Sequence, residues 1–334
     1  MRPAAAILRA SMARPRLLPL LLLLVAAVVA VSGCSHGSED RPDQDATLVL
    51  DFQPNAVHAG IYLALQRDYD GAEGVNLRAQ APSSSTDSVK LLLSGRAQFA
   101  ILDIHDLALA REKGRDIVGV MAVVQVPLAA VMAQPQIRRP RDLEGRKAGV
   151  TGLPSDDAVL NSIVRGDGGD PAKVRKVTIG FQAVSALLAH RVDAATAFWN
   201  AEGVALSAKR PGIRQFKVDD YGAPPYPELV LCVSRETLQD DRSLVAATVR
   251  ALRRGYEETI NDPESAVSAL VDAAHVDRDE TARELDAVSP AFTEGATQYG
   301  ELDPTALRAW ARWEARFGIT RRPPDVAQAF APGF

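Results

Sequence analysis

The side chains that could do chemistry fall in five short stretches, each at the end of an apolar run. They are Asp51–His58 (DFQPNAVH), Leu102–Asp106 (LDIHD), Thr151–Asp157 (TGLPSDD), Phe198–Gly203 (FWNAEG) and Tyr221–Glu228 (YGAPPYPE). Together they supply carboxylates, imidazoles, amides and aromatic rings. Carboxylates accept N–H donors, and rings stack on flat heterocycles, so these residue types suit binding of a small polar ring. Patterns for covalent or phosphate chemistry are missing. There is no Gly-x-Ser-x-Gly elbow, no Walker loop and no Gly-x-Gly-x-x-Gly after a strand. The run GDGGD, Gly166–Asp170, reads as a turn after a helix.

The five histidines are His36, His58, His105, His190 and His275. None pair at metal-ligand spacing. Asp103, His105 and Asp106 form the densest polar cluster, but without that spacing no metal or cofactor is expected. His190 reads as a residue near a helix C-terminus, where a cation is favoured. His275 reads as a surface residue.

The elements that must hold these stretches alternate in type. TLVLD, VNLRAQA, QFAILD, RKAGVT, KVTIG and AATAFW read as strands. Amphipathic segments follow the first five, and Ser155 is placed to N-cap the one after RKAGVT. Such alternation predicts α/β layers with mostly parallel sheets, whose ligands bind at the carboxyl ends of the strands. Two apolar strands, Pro127–Gln134 and Glu228–Ser234, bound a block with strand–helix units of its own. That pattern predicts two α/β lobes joined by a two-strand hinge, with the ligand cleft between them. Lobe 1 is expected over 46–133 and 229–334, including the C-terminal helices, and lobe 2 over 134–228. Asp262-Pro263 supplies an N-cap and an N1 proline. Val245, Val249, Leu252 and Tyr256 repeat at helical spacing, as do Leu307, Trp310, Trp313 and Phe317, so Trp310 and Trp313 read as core.

Of the 334 residues, 47% are hydrophobic, an ordinary globular share that excludes disordered and fibrous classes. The net charge is −4, and removing the four arginines of the first 33 residues leaves −8. An acidic body without a basic stripe argues against nucleic acid as a partner. Residues 1–33 carry Arg14 and Arg16, an apolar run and then VSGC, which reads as a lipoprotein signal peptide. Met12 is an alternative start. Cys34 is the expected lipidation site, and the polar residues 34–45 read as a tether. The only other cysteine, Cys232, lies in an apolar run and reads as a buried thiol, so no internal disulfide is available.

DFQPNAVHAGIYLA is followed in order by GGDPAKVRKVTIGF, VDAATAFWNAEGV and YGAPPYPELVL. This series resembles the bacterial binding proteins for thiamine pyrimidine precursors, whose opening reads Asp-Trp-x-Pro-Asn-x-x-His-x-Gly-x-Tyr. The likeness runs from Thr47 to Leu238 and continues more weakly through the C-terminal helices. It implies a type II periplasmic-binding-protein fold and a substrate-binding protein of an ABC importer. The superfamily also includes eukaryotic hydroxymethylpyrimidine phosphate synthases. By position, Asn55 and His58 would hydrogen-bond the ligand, and Phe52 would stack on it where the family has Trp. Trp199, Asn200 and Glu202 match its Trp-Asn-x-Glu-Gly block, with Glu202 recognising the ring. Glu202 could equally just begin the helix EGVALSAKR, and Trp199 could be core. Asp103, His105 and Tyr226 are expected beside them in the cleft.

The resemblance therefore implies a lipid-anchored, monomeric, extracytoplasmic protein that is not an enzyme. Its ligand would be hydroxymethylpyrimidine or its formylamino analogue, and its partners an ABC permease and its ATPase. Phe52 leaves riboflavin or another flat heterocycle as an alternative. A pyrimidine synthase is the rival from another class. It would need a site lysine for pyridoxal phosphate and a cysteine-rich segment, and before the hinge the body has only Lys90 and Lys113.

Overall fold

The computed structural model describes residues 44–334. The expected signal, Met12, Cys34, His36 and all but the last two tether residues lie outside the described residues. Gln44 and Asp45 already belong to strand β1, Gln44–Val49, two residues ahead of the expected boundary. Among the described residues no helix is long and apolar enough to cross a membrane.

Among the described residues, ten strands form two five-stranded sheets. The first is built from β1, β2 (Val75–Gln80), β3 (Phe99–Asp103), β4 (Ile117–Ala122) and β10 (Leu229–Ser234), in the order β2-β1-β3-β10-β4. The second is built from β5 (Ala129–Ala133), β6 (Lys147–Val150), β7 (Arg175–Thr178), β8 (Ala194–Phe198) and β9 (Arg214–Lys217), in the order β7-β6-β8-β5-β9. Each sheet is parallel except for one returning strand. β10 runs antiparallel to β3 and β4, and β5 runs antiparallel to β8 and β9.

The domain boundaries need one correction. Ala129–Ala133 was expected in lobe 1, yet it pairs only with β8 and β9, so it belongs to the second lobe. The chain crosses between lobes in the segments 123–128 and 218–228, which follow strands rather than being strands. The apolar reach of PLAAVMAQ hid the change of sheet, because periodicity does not say which partner a strand takes.

Strand residues alternate between two cores, as a period of two requires. In the first lobe, Leu48, Phe99, Ile101, Leu229 and Leu231 face one core. There they meet helices α1 (Ala59–Gln66) and, further along the chain, Arg242–Asn261 and Pro263–Ala274. Val49, Ala100, Leu102, Val230 and Cys232 face the other. That face is covered by α2 (Asp87–Leu93), α3 (Ile104–Glu112) and the C-terminal helix Pro304–Phe317, which buries Leu307, Trp310 and Trp313. In the second lobe, Ala130, Met132 and Ala195 pack on α5 (Ala183–Leu188), while Val131 and Ala194 share a core with α4 (Pro154–Gly166).

A close helix pair fixes the first cleft loop. A Cβ on Gly60 of α1 would lie 2.4 Å from the Tyr256 ring, and one on Gly255 would lie 2.2 Å from the Gly60 carbonyl oxygen. Only glycines let these backbones approach so nearly. Tyr256 then donates its hydroxyl to the Val57 carbonyl at 2.9 Å.

The two crossings are joined by Glu228. Its fully buried carboxylate accepts the Leu128 N–H at 2.6 Å and the Ala129 N–H at 2.8 Å. Trp199 reinforces the same corner, donating Nε1–H to the Pro127 carbonyl at 2.9 Å and its own N–H to Leu128 at 3.0 Å. Replacing Glu228 by Ala strands two buried N–H groups beside a buried imidazole. We expect Glu228→Ala to lower unfolding stability by about 3–5 kcal/mol, read from the urea midpoint, whereas Glu228→Gln, which keeps an acceptor, costs less.

Candidate functional site

The cleft lies between the lobes, and residues from both line it. It encloses about 830 Å³, counting space open to solvent. From lobe 1 come Asp51, Phe52, Asn55, Asp103 and Asp106. From lobe 2 come Thr151, Ser155, Asp156, Phe181 and Glu202. No lysine, arginine or histidine is among the lining residues.

The first cleft loop is shaped by its own polar atoms. β1 ends, Pro54 turns the chain, and Asn55 caps a short 3-10 turn at Ala56–His58, accepting the Val57 N–H at 3.0 Å. The His58 Nδ1 accepts the Asn55 N–H at 3.3 Å, completing a capping box. With Nδ1 an acceptor, Nε2 carries the proton and donates to Asp51 Oδ1 at 2.9 Å. His58 is fully buried and does not line the cleft, so its role differs from the expected one. It holds Asp51, the first residue of the motif, which does line the cleft and was not among the expected ligand contacts.

Phe52 meets Phe181 across the gap, ring centroids 4.5 Å apart at 75°. Phe181 follows the exit of β7. Gly180, at φ 55°, makes the turn that presents it.

The carboxylates are held by short-range donors. Asp103 caps α3 and accepts the His105 N–H at 2.7 Å. Asp156 accepts the Thr151 N–H and hydroxyl. Glu202 begins helix α6 (Glu202–Lys209) and accepts the Phe198 N–H at 3.2 Å. Glu202 thus starts the helix, as expected, and also lines the cleft. Asp106 is bonded by the Ser155 hydroxyl. Ser155 does not cap α4 as expected. The helix begins two residues earlier than that, at Pro154, with Leu153 in the cap position, which turns Ser155 into the cleft.

Burial raises these acids. Desolvation, with repulsion from Asp156 and Asp51, lifts Glu202 to about 7. Desolvation, with repulsion from Asp156, lifts Asp106 to about 7 against the Ser155 bond. Asp156 and Asp103 are also raised, chiefly by desolvation. Behind the loop, Glu284 accepts the Ala56 N–H at 3.3 Å and is lifted by burial to about 7.

The other residues expected in the cleft do not line it. His105 and Tyr226 are fully buried. His105 Nδ1 bonds Glu314, and Nε2 lies 3.1 Å from the Tyr226 hydroxyl and 3.7 Å from Glu228. Burial lowers the imidazole pKa, but Glu314, Asp103 and Glu228 outweigh it and raise it to about 10. Donor atoms of Asp103, His105 and Glu228 do converge within 4.8 Å. A protonated imidazole offers no lone pair to a metal. Trp199 packs at the hinge, with Lys217 Nζ 4.1 Å over its ring. Asn200 is fully buried with neither amide atom bonded. Of the Trp-Asn-x-Glu sequence, Ala201 and Glu202 line the cleft, while Trp199 and Asn200 do not.

The profile of the family described as "NMT1/THI5 like" matches residues 55–266. The chain is 32% identical over 242 residues to a formylaminopyrimidine-binding protein of Halalkalibacterium halodurans, covering 71% of this chain and 73% of that one. It is 23% identical to a 4-amino-5-hydroxymethyl-2-methylpyrimidine phosphate synthase of Legionella pneumophila, over 63% of this chain and 67% of that one. The alkanesulfonate-binding protein SsuA of Xanthomonas axonopodis pv. citri, solved with MOPS, superposes with a TM-score of 0.70 at 15% identity, over 87% of this chain and 99% of that one. That likeness shows the fold, two α/β lobes of the type II periplasmic-binding-protein kind.

The raised acids fix a pH dependence. A carboxyl whose folded pKa exceeds its unfolded value favours folding when neutral, so its contribution is full below the unfolded value and lost as pH rises through the folded one. For Glu202 and Asp106 that window runs from the ordinary carboxylate range to about 7. His105, raised to about 10, has the same sign above its ordinary value. The melting temperature of the ligand-free protein should fall between pH 5 and pH 8, a range within these windows. Glu202→Gln should flatten the fall and stabilise the free protein at pH 8 by about 1–2 kcal/mol.

Proposed function

The chain belongs to the NMT1/THI5-like family, and from that membership we propose that it is an extracytoplasmic solute-binding protein of an ABC importer that captures a thiamine pyrimidine precursor. The observation that carries the reading is the cleft itself. It has acceptor carboxylates on both lobes, two phenylalanines in edge-to-face contact and no cation in its lining. An aminopyrimidine is flat and offers N–H donors at its edge. A carboxylate such as Glu202 accepts the exocyclic N–H, and a second hydrogen where the ring nitrogen is protonated. Phe52 and Phe181 supply the apolar surface against which such a ring packs.

The same cleft argues against an anion. A sulfonate needs arginine, lysine or several free N–H groups, and here the acids already use the nearby N–H groups. Pyridoxal and thiol chemistry lack their parts, because no lysine lines the cleft and burial pushes the Cys232 thiol up, away from its reactive form. The relative named as a formylaminopyrimidine-binding protein supports the choice of ligand class. The lipobox-like VSGC supports membrane anchoring through Cys34, and an importer supplies a permease and an ATPase as partners. A monomer suffices, since the cleft is built within one chain.

Titration calorimetry of the soluble body with formylaminopyrimidine and hydroxymethylpyrimidine tests this. One ligand per chain with micromolar or tighter Kd is expected. Glu202→Gln should weaken binding by roughly 10–100-fold, the worth of a charge-assisted bond. Phe52→Ala should weaken it by roughly 10-fold through lost ring contact. Absence of heat with every pyrimidine precursor, or quenching of riboflavin fluorescence in its place, contradicts the reading.

A further inference from the structure

The cleft holds more carboxyl groups than the edge of a neutral aminopyrimidine uses. Five carboxylates line it, and they divide by neighbourhood. Asp51 and Glu202 both line the aromatic end, and the charge of Asp51 bears on Glu202. Asp103 and Asp106 stand together at the start of α3. Asp156, at the start of α4, bears on both Glu202 and Asp106.

The aromatic end therefore already has acceptors for the edge of a ring. The α3 end has carboxylates to spare. Asp106 is distinct among the five. It is 8% exposed, and no backbone N–H donates to it among the described residues. Its one bonded neighbour is the neutral Ser155 hydroxyl. The nearest buried cation, His105, is turned away from the cleft toward Glu314 and Tyr226. A ligand cation at this end would meet Asp106, Asp103 and Asp156 with no competing positive charge in the lining.

Resting on the pyrimidine-capture reading, we propose that the cleft selects an aminopyrimidine whose ring substituent ends in a primary ammonium, held by Asp106 with Asp103 and Asp156. The substituent of such a ligand is an aminomethyl group, in place of a hydroxymethyl or formylaminomethyl group. Phe52, Phe181 and Glu202 hold the ring, and the substituent points along the cleft toward α3. The fit has a separate support in the empty-cleft charge state. Desolvation, with a smaller repulsion from Asp156, holds Asp106 near 7 without a ligand, and a cation arriving beside it offsets both. The chemistry of binding is non-covalent throughout, with the ammonium donating N–H bonds to carboxylate oxygens.

Calorimetry with three probes sharing one ring tests the selection: the aminomethyl, hydroxymethyl and formylaminomethyl forms of the same aminopyrimidine. The aminomethyl form should bind at least ~10-fold more tightly than either neutral form, since charge-assisted bonds are about twice as strong as neutral ones. Asp106→Asn should narrow that ratio to within about 3-fold, because the amide keeps the shape and loses the charge. Equal or tighter binding of a neutral form by the unaltered protein overturns the ammonium selection and leaves pyrimidine capture standing. Failure of all three probes overturns both. The comparison among probes uses the unaltered chain, so it stands even where Asp106→Asn does not fold.

Discussion

Keeping several carboxylates in one cleft without a cation among them is the constraint around which the site is arranged. Four of the acids are tied to an N–H at their own strand exit: Asp51 accepts the His58 Nε2–H, Asp103 the His105 N–H, Asp156 the Thr151 N–H and Glu202 the Phe198 N–H. Asp106 instead reaches the Ser155 hydroxyl of the other lobe. Those bonds lower the cost of burial without cancelling it, so the groups remain shifted toward neutrality. Local turns do the holding, and this is why the acids sit where strands hand over to helices. Helix N-termini add favourable dipole ends at Asp103, Asp156 and Glu202.

The hinge solves the opposite problem. There a cation, His105, is buried with Glu314 and Glu228 around it, and Glu228 spends its other oxygen on the backbone of the first crossing. Asp103 belongs to both arrangements. It faces the cleft, and its charge bears on His105. The Asp103–His105 pair links the ligand cleft to the strap that joins the lobes. Two lobes, two crossings and a cleft between them form a geometry suited to closure on a ligand.

Much of this was legible in the sequence, for a physical reason. Buried parallel strands must be short apolar runs, and the polar residues that follow them must lie at the sheet's carboxyl edge. TLVLD, QFAILD and AATAFW announce themselves that way, and so do the stretches that line the cleft. The direction of each side chain was not legible. Asp103 and His105 are two residues apart, yet helix geometry sends one to the cleft and the other to the core. Trp199, Asn200 and Glu202 divide likewise. Phe181 lay in a matched block but carried no polar signal to single it out. The assignment of Ala129–Ala133 to the wrong lobe has a similar origin, because an all-apolar strand fits either sheet.

Family motif and geometry therefore report different things. His58 is a motif residue whose contribution runs through Asp51, while Asp106 and Asp156 face the cleft without standing in the motif's opening. The most direct measurement is a crystal structure of residues 44–334 with an aminopyrimidine bound. The account predicts the ring packed against Phe52 and Phe181, with its amino edge on the Glu202 carboxylate. A ligand seated outside the interlobe cleft, or one whose ring is turned away from Glu202 and both phenylalanines, would contradict it.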